Sequence, residues 1–448
     1  MLSKNDIIDL EITGLTNEGC GIGKYDGIVV FVPFSAVNDK LKVRIVKVNK
    51  SHCYGKIEEI SVPSPDRIIP DCEAFGKCGG CDFRHITYES ELRAKEQFIR
   101  DAFTRIGGLN PEFLPIIGNT MQNGYRNKAQ YPIGKNDKGE TVCGFFANRS
   151  HRIIPCEKCM LEPEIFGEIK RFILETAKEY KISAYNEAEH SGVLRHICIR
   201  KGHYSGEICV TLVVRRNVPQ LKALAFELRK KFSEITSITV NINKDKTNVI
   251  YGEEEKVLFG SDSITDKMCG KTFSVSPLSF YQVNTPMAEI LYQKAAELAQ
   301  PDGKTVIDLY CGAGTIGLTM ADKARSVIGV EIVENAVVNA NENAKLNNAD
   351  NARFICGDAG QATDILVKEG IKADVVIVDP ARKGCDERTL SNIVQFNPDR
   401  VVMVSCNAVT AARDCKYLEE HGYRCISVQG VDLFSRTRHV ECVVELKK

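Results

Sequence analysis

The stretch Val306-Ile-Asp-Leu-Tyr-Cys-Gly-Ala-Gly-Thr-Ile-Gly-Leu318 predicts a buried strand, a tight glycine-rich turn and the start of a helix. About twenty residues later, Ser326-Val-Ile-Gly-Val-Glu331 predicts a second strand that ends in an acid. In Rossmann-like folds such a turn lets the backbone approach a ligand closely, and the acid holds ribose hydroxyls. The turn lacks the complete G-x-G-x-x-G pattern and has no Walker lysine, which argues against a nucleoside triphosphate ligand.

Strands and helices alternate from about residue 275 to the C-terminus. Two further apolar runs, Val375-Val-Ile-Val378 and Val401-Val-Met-Val404, are continuous rather than alternating. Continuous apolar runs are typical of parallel strands that are covered on both faces. The second half of the chain is therefore predicted to be a doubly wound α/β domain.

The first half of the chain is predicted to be rich in strands. Residues 1–60 contain short alternating runs, separated by glycine-rich turns such as Gly19-Cys-Gly-Ile-Gly23, and predict a small β-barrel. An amphipathic helix is predicted from Glu89 to Ile106, and a hairpin is predicted within residues 195–214. At 448 residues the chain is long enough for two to four domains. We predict three, which are residues 1–60, residues 61–92 with 119–265, and residues 93–118 with 266–448.

The composition is that of an ordinary globular protein, with 43% hydrophobic and 26% charged residues. No apolar run reaches 18 residues, so no membrane association is predicted, and the N-terminus lacks the pattern of a secretion signal. These features predict a cytosolic protein. In a reducing cytosol most of the 18 cysteines are expected to be small buried apolar residues, and only unusual spacings indicate chemistry.

The net charge is zero, but positive charge is concentrated locally. Residues 121–160 contain seven Lys and Arg against three Asp and Glu, and residues 193–231 contain nine against two. Such patches can bind the phosphates of a nucleic acid while acidic surface elsewhere balances the total charge. Ordinary solvated surfaces are the alternative interpretation, and charge alone does not decide between the two.

One cysteine pattern has the spacing of a metal site. Cys72, Cys78 and Cys81 are separated by five and two residues, and Cys159 follows far downstream. Four thiolates can bind either zinc or an iron–sulfur cluster, and the spacing alone favours zinc. Cys156 lies three residues before Cys159, so the identity of the fourth ligand stays open.

Three polar motifs lie near the ends of the later strands, where open α/β sheets bind their ligands. They are Asp379-Pro-Ala-Arg-Lys-Gly384, Val404-Ser-Cys-Asn407 and Arg438-His-Val-Glu441. Together with Phe280-Tyr-Gln-Val-Asn284, the glycine turn, the barrel and the cysteine pattern, they resemble the RNA (uracil-5-)-methyltransferases. The resemblance covers nearly the whole chain and is greatest to the 23S rRNA enzymes that carry a TRAM barrel and an iron–sulfur cluster.

This resemblance implies a fold and a reaction. The fold would be a class I, Rossmann-like methyltransferase domain with an N-terminal OB-like TRAM barrel, which binds RNA, and a strand-rich central domain. Carbon 5 of uracil is a poor nucleophile, and addition of a thiolate to carbon 6 activates it. By resemblance Cys406 would be this nucleophile, Glu441 would be the base that removes the carbon 5 proton, and Asp379 would position the uracil beside the cofactor.

The resemblance also implies which residues would bind the cofactor, a metal cluster and the RNA. S-adenosyl-L-methionine would contact Gln282, Tyr310, Thr315, Glu331, Asp358 and Asp379. A 4Fe–4S cluster would be bound by Cys72, Cys78, Cys81 and Cys159, which reverses the preference for zinc. The RNA partner would be 23S rRNA, with a uridine flipped out of a single-stranded loop. Arg126 and Lys128, in Tyr125-Arg-Asn-Lys128, and the basic stretch 193–231 would contact that RNA.

Two alternatives stay open on the sequence alone. The same chemistry could act on tRNA, or the protein could be a non-catalytic RNA-binding factor for ribosome assembly that retains a cofactor pocket. No obligate protein partner is evident from the sequence. The segment before Glu441 departs from the family, because Ser435 follows Phe434 where the family usually has proline.

Overall fold

In the computed structural model, which describes residues 2–136 and 138–448, the chain begins with a six-stranded sheet. The spatial order is β1-β5-β6-β4-β3-β2. Its strands are β1 (Ile7–Glu11), β2 (Gly14–Leu15), β3 (Cys20–Tyr25), β4 (Ile28–Pro33), β5 (Lys40–Val48) and β6 (His52–Val62). Alternate residues such as Val30, Val32 and Val43 are fully buried, so the sheet encloses one small apolar core.

The prediction of a turn at residues 19–23 was wrong, because β3 begins at Cys20 and contains most of the segment. Only Gly19 is a turn residue, with φ of 79°. Gly23 is needed for close packing instead, since a Cβ atom there would lie 2.6 Å from the carbonyl oxygen of Glu11 in β1. The glycines therefore bring β3 against β1 across the barrel.

The predicted amphipathic helix is present but ends irregularly. Helix α1 (Tyr88–Asp101) begins after Thr87, whose hydroxyl accepts a hydrogen bond from the Ser90 N–H at 3.3 Å. A π-helical turn (Ala102–Gly107) continues it to Gly108, which has the left-handed conformation that commonly ends a helix. Strand β7 (Glu112–Ile117) follows.

A seven-stranded sheet with two helices forms the central part of the molecule. Its elements are β8 (Lys128–Lys135), β9 (Thr141–Phe146), β10 (Ile153–Pro155), α2 (Glu164–Glu179), β11 (Leu194–Lys201), β12 (Ile208–Val214), α3 (Gln220–Lys231), β13 (Ile235–Ile242) and β14 (Glu254–Gly260). The spatial order is β10-β9-β8-β11-β12-β13-β14. Strands β11 and β12 form the predicted antiparallel hairpin. Both helices contribute buried residues to the apolar core of this sheet.

The remaining chain forms a short hairpin and an eight-stranded sheet that β7 joins at one edge. The elements are β15 (Ile264–Met268), β16 (Lys271–Val275), α4 (Thr285–Ala299), β17 (Thr305–Leu309), α5 (Thr315–Met320), β18 (Ser326–Glu331), α6 (Glu334–Leu346), β19 (Ala352–Cys356), α7 (Ala359–Lys368), β20 (Val375–Val378), α8 (Glu387–Phe396), β21 (Arg400–Ser405), α9 (Ala408–Glu420), β22 (Arg424–Val431) and β23 (Glu441–Lys447). The order of the large sheet is β19-β18-β17-β20-β21-β23-β22-β7.

The strands β17 to β21 are parallel, and the sheet separates two apolar cores, as the continuous apolar runs predict. Strand β23 is antiparallel to both of its neighbours, β21 and β22. The carboxyl ends of the parallel strands therefore meet at one edge, together with the beginning of β23. Within residues 2–136 and 138–448, none of the helices has the length and apolar character needed to cross a bilayer.

Candidate active site

A cavity of about 1160 Å³ lies at this edge, between the large sheet and the central part of the molecule. All the site residues predicted from the sequence line it, namely Cys406, Glu441, Asp379, Gln282, Tyr310, Thr315, Glu331, Asp358, Cys72, Cys78, Cys81, Cys159, Arg126 and Lys128. Residues from distant parts of the chain are thus brought together, and the cavity is large enough for a nucleoside cofactor and a second ligand.

The glycine turn after β17 is held to the end of β18 by hydrogen bonds. The Gly312 N–H donates to one carboxylate oxygen of Glu331 at 3.1 Å, and the Val333 N–H donates to the other at 2.9 Å. Gly314 has φ of 78°, and a Cβ atom there would lie 2.7 Å from the Phe354 ring. The turn therefore requires glycine for both conformation and space.

Four of the predicted cofactor residues lie around this turn. The Tyr310 hydroxyl donates to Thr389 at 3.3 Å, and the Thr315 hydroxyl lies 3.3 Å from that of Tyr292. Gln282 is 7% exposed. Asp358 follows β19 and caps α7. Backbone N–H groups at the turn, a carboxylate at the end of β18 and a second one after β19 form a site suited to a nucleoside with an amino-acid tail.

The antiparallel register of β21 and β23 brings the proposed nucleophile and base together. Ser405 pairs with Cys442, and the thiol of Cys442 lies 3.6 Å from the Ser405 carbonyl oxygen. Cys406 follows Ser405, and Glu441 precedes Cys442. In this register the side chains of Cys406 and Glu441 lie next to each other at the edge of the sheet that borders the cavity. Cys406 is half-buried, and Glu441 is buried.

Burial raises the pKa of all three proposed catalytic groups, and nearby negative charges raise the pKa of Glu441 and Cys406 further. Burial, and then the nearby Asp379, raises the pKa of Glu441 to about 8. Burial alone raises the pKa of Asp379 to about 7. Burial and then the two carboxylates raise the pKa of Cys406 to about 11, while Arg382 lowers it. Clustered groups with such shifts are typical of catalytic sites.

The segment before Glu441 is held by residues that lie far away in the sequence. The Arg436 carbonyl oxygen accepts hydrogen bonds from the N–H groups of Asp82 and Phe83, at 3.0 and 3.1 Å. The Arg436 N–H donates to Glu91 at 2.8 Å, and the Arg438 N–H donates to the Asp82 carboxylate at 3.0 Å. These bonds fix the segment although it lacks the proline that is usual in the family.

A buried ion cluster supports the same segment. Lys95 Nζ lies 2.6 Å from Glu91 and 2.7 Å from Asp432, and all three side chains are fully buried. Lys95 also donates to the Phe434 carbonyl oxygen at 3.2 Å, and the Tyr88 hydroxyl donates to Asp432 at 2.6 Å. The cluster therefore joins α1 to the chain between β22 and β23.

The predicted metal ligands line the cavity together with Cys156. Within the described residues, no three His, Cys, Asp or Glu side chains are grouped so that they could hold a metal ion. A single zinc ion would require its thiolates to approach within about 2.3 Å of one point. The structure thus brings the four predicted cysteines to one cavity, where the Gly80 N–H donates to Cys78 Sγ at 3.3 Å, but among the described residues it shows no preformed metal site.

The two basic stretches behave differently in the structure. Arg126 and Lys128 line the cavity, but of the stretch 193–231 only Arg200 does. Arg195 is instead buried, and its guanidinium donates to the carbonyl oxygen of Asn243 at 2.8 Å. Arg195 is therefore a structural residue, and for the other basic residues of the stretch contact with RNA stays a prediction.

Sequence reasoning missed the individual roles of Arg200 and Arg382. Arg382 lies within the Asp-Pro-Ala-Arg-Lys-Gly motif, so the motif itself was the signal. Arg200 ends a run of buried residues in β11, and a cation at a buried strand position is the signal that could have identified it.

The Rossmann-like sheet and the cavity at its strand ends define the class of the protein, a methyltransferase dependent on S-adenosylmethionine. The solved structure of the Pyrococcus abyssi tRNA (uracil-54, C5)-methyltransferase in complex with S-adenosyl-L-homocysteine is similar, with a TM-score of 0.79 and 28% sequence identity. The similarity covers 98% of this chain and 100% of that chain. The predicted class I fold is thereby confirmed.

Family models identify the particular group. The tRNA (uracil-5-)-methyltransferase model matches residues 87–448, and the TRAM domain model matches residues 3–57. Uncharacterized RNA methyltransferases from Clostridium tetani and Halalkalibacterium halodurans are each 42% identical. These matches cover 99% and 100% of this chain and 96% and 98% of the relatives. The chain therefore belongs to the RNA (uracil-5-)-methyltransferase family and carries an N-terminal TRAM domain, which confirms the resemblance found in the sequence.

Proposed function

We propose that this protein methylates carbon 5 of a uridine in RNA through a covalent bond between Cys406 Sγ and carbon 6 of the base. The observation that carries the proposal is the register of β21 and β23, which sets a thiol and a carboxylate side by side at the cavity. A nucleophile and a base on neighbouring strands suit a reaction in which one adds to the ring and the other removes a proton from the adjacent carbon.

The steps balance with the residues of the chain. The Cys406 thiolate adds to carbon 6, and the electrons of the carbon 5–carbon 6 double bond move toward the carbonyl oxygen to give an enolate. When bound, S-adenosylmethionine supplies the electrophilic methyl group that carbon 5 of this enolate takes, and it leaves as S-adenosylhomocysteine. The Glu441 carboxylate then removes the carbon 5 proton, the sulfur–carbon 6 bond breaks, and its electron pair returns to the thiolate.

Neighbouring groups prepare the thiolate and the base. Arg382 lowers the pKa of both Cys406 and Glu441 and therefore favours their reactive, ionised forms. Asp379 raises the pKa of both groups. The Asp379 carboxylate follows the neighbouring strand β20 and offers acceptors for a uracil N–H, so we assign Asp379 to positioning the base. Gln282, Tyr310, Thr315, Glu331, Asp358 and Asp379 are the proposed cofactor contacts.

We propose 23S rRNA as the substrate, because over nearly its whole length the sequence resembles enzymes that methylate this RNA. A tRNA substrate is the second candidate. It is favoured by the similarity to a tRNA (uracil-54, C5)-methyltransferase over 98% of this chain, the barrel included. The proposal includes the three predicted domains, the TRAM barrel of residues 1–60 as an RNA contact, and action in the cytosol. Mapping 5-methyluridine in both RNAs of a strain that lacks the gene separates the two substrates.

Covalent trapping tests the chemistry directly. A uridine with fluorine at carbon 5 has no proton for Glu441 to remove, so the adduct should persist on RNA that contains 5-fluorouridine. We expect a linked complex with the native protein, none with Cys406→Ala, and normal trapping with Cys269→Ser, a thiol in the turn between β15 and β16 that lies outside the cavity. An unlinked native protein that still binds RNA would support the non-catalytic alternative instead.

We also propose that Cys72, Cys78, Cys81 and Cys159 bind a 4Fe–4S cluster. The support is the set of thiols along one cavity and the family resemblance. The cluster would hold the cysteine loop in place, and no step of the methylation requires electron transfer. Iron and acid-labile sulfide in protein purified without oxygen test this. Both should fall in Cys159→Ala and persist in Cys156→Ala if Cys159 is the fourth ligand, whereas zinc without sulfide would contradict the proposal.

A further inference from the structure

Two basic side chains in the cavity wall face each other across neighbouring strands. Arg200 in β11 pairs directly with Lys128 in the antiparallel β8. Arg200 is 4% exposed, and Lys128 is half-buried. Like charges directly opposite in a sheet destabilise it, and burial increases the cost because water no longer screens them. A pair of this kind requires compensation.

The described residues offer little compensation. No carboxylate described in the structure lies within 4.0 Å of either basic side chain. The Arg200 Nη2 donates to the Ser279 carbonyl oxygen at 2.7 Å, while Nε and Nη1 have no acceptor within the described part of the chain. Lys128 Nζ lies 5.9 Å from the centre of the Tyr251 ring, which is a weak substitute for an anion.

The neighbouring thiol and phenol that could become anions are uncharged at neutral pH, and Arg126 adds a further positive charge near Lys128. Burial raises the pKa of the Cys198 thiol to about 11, and burial raises the pKa of the Tyr251 hydroxyl as well. Burial, and then Arg200, lower the pKa of Lys128 to about 8, which is the response of a cation without a counter-ion.

We infer that Arg200 and Lys128 form a binding site for one phosphate of the RNA substrate, next to the uridine that is methylated. This inference rests on the proposed function. An oxyanion that enters from the cavity would satisfy the free guanidinium donors and neutralise the pair, and a guanidinium is well shaped for phosphate oxygens.

The position of the pair favours a phosphate over the carboxylate of the cofactor. The glycine turn and the acids that suit the cofactor belong to the large sheet, whereas Arg200 and Lys128 belong to the central sheet across the cavity. Ser279 accepts the hydrogen bond from Arg200, and the next residue is Phe280. Phe280 lines the same cavity and is 71% exposed. A cation pair beside an exposed aromatic ring matches a nucleotide, which presents a phosphate and a base.

Binding of a single-stranded oligouridylate of about ten nucleotides, measured by fluorescence anisotropy at several salt concentrations, tests the site. We expect Arg200→Gln to weaken binding about tenfold and to reduce the slope of log K against log salt by about 0.7, the value for one phosphate contact in single-stranded RNA. Lys128→Gln should act in the same direction. The matched control is Arg424→Gln, an exposed arginine at the start of β22 that lies outside the cavity and outside both basic stretches, which should change binding by less than about twofold.

Calorimetric titration with S-adenosylhomocysteine separates the two possible anions. If Arg200→Gln weakens cofactor binding and leaves RNA binding intact, the ligand is the cofactor carboxylate and the inference is wrong. Equal losses in Arg200→Gln and Arg424→Gln would also overturn it. Should Arg200→Gln fail to fold, single methylphosphonate replacements in the RNA give the answer with native protein. One position should then weaken binding about tenfold, and a uniformly small effect would refute the site.

The outcome does not depend on the success of the proposed chemistry. Covalent trapping by Cys406 at saturating RNA should persist in Arg200→Gln, since the thiol and Glu441 are untouched. A protein that never traps 5-fluorouridine would invalidate the methylation mechanism while leaving the RNA affinities of these variants interpretable.

Discussion

The ammonium group of Lys95 lies 2.7 Å from the carboxylate of Asp432, and this contact ties α1 to the segment that leads into β23. Glu91 shares the same ammonium at 2.6 Å and also accepts the Arg436 N–H. Two buried carboxylates thus share the Lys95 cation, with the Arg436 guanidinium a more distant second partner of Glu91 at 3.9 Å, and both are linked to the chain before Glu441. The position of Glu441, the proposed base, therefore depends on the packing of α1.

Replacement of Lys95 by methionine should destabilise the fold strongly. The change leaves Glu91 and Asp432 buried without their cation, so we expect a loss of about 3–5 kcal/mol in the free energy of unfolding by urea. The control is Lys42→Met, which removes an ion pair whose side chains are 48% and 56% exposed. That variant should lose far less stability than Lys95→Met, because exposed ion pairs contribute little. Equal effects of the two variants would contradict the structural role of the buried cluster.

The rate of methylation should depend on the ionisation of Glu441. Because its pKa is raised to about 8, the carboxyl group is largely protonated at neutral pH and cannot accept a proton. Two ionisations should therefore raise kcat/KM with pH, that of Glu441 near 8 and that of the Cys406 thiol near 11, so the rise should be steeper below about 8 than above it. Glu441→Asp should retain the steeper part at a lower rate, whereas Glu441→Gln should lose it and keep only the rise that comes from the thiol. A native profile that is flat from neutral to alkaline pH would argue against Glu441 as the base.

The same carboxyl group should make stability depend on pH. Its pKa is raised from 4.5 to about 8, so its contribution to stability is fully present below the lower value and is lost as pH rises through the higher one. Glu441→Gln lacks this loss, and its stability relative to the native protein should increase by up to about 1.4 kcal/mol per pH unit across the interval. Urea unfolding at several pH values measures the difference. The exposed Glu342→Gln is the control and should show none.

A methyl group at Gly314 should disturb the cofactor turn. Gly314→Ala combines a left-handed backbone with a contact of 2.7 Å to Phe354. The control is Gly303→Ala, where φ is 69° and the space around the Cβ position is open. Both variants should lose about 1–2 kcal/mol from the backbone, and overpacking should cost Gly314→Ala a further 1–3 kcal/mol, roughly. Binding of S-adenosylhomocysteine should weaken only in Gly314→Ala, and unchanged affinity there would contradict the assignment of the turn.

The sequence was sufficient to predict those strands and helices that have a clear pattern of apolar residues. Continuous apolar runs identified the parallel strands, and the rule that ligands bind at their carboxyl ends predicted that Asp379 and Cys406 share a site. Glycines were less informative, because the same residue type permits a turn at Gly19 and close strand packing at Gly23. Period and composition do not distinguish these two uses of glycine.

Contacts that depend on register or on distant segments could not be predicted. Arg200 lies opposite Lys128 because of the register in which β11 pairs with β8. The residue pattern of one strand does not determine its register with another strand. Lys95 and Asp432 are separated by 337 positions, and each alone has the character of a surface charge. Their burial follows from the way that α1 packs, which depends on the complete fold rather than on either local sequence.

The hydrogen bonds from Asp82 and Phe83 to Arg436 have a consequence for how this protein can be divided. A chain that began at residue 87, where the methyltransferase family match starts, would retain the whole Rossmann sheet and every proposed catalytic side chain. It would nevertheless lose the backbone partners that fix the approach to Glu441. The segment that contains Asp82 and Phe83 is thus an integral part of the catalytic scaffold, and a truncation that removes it together with the barrel should leave the approach to Glu441 misaligned.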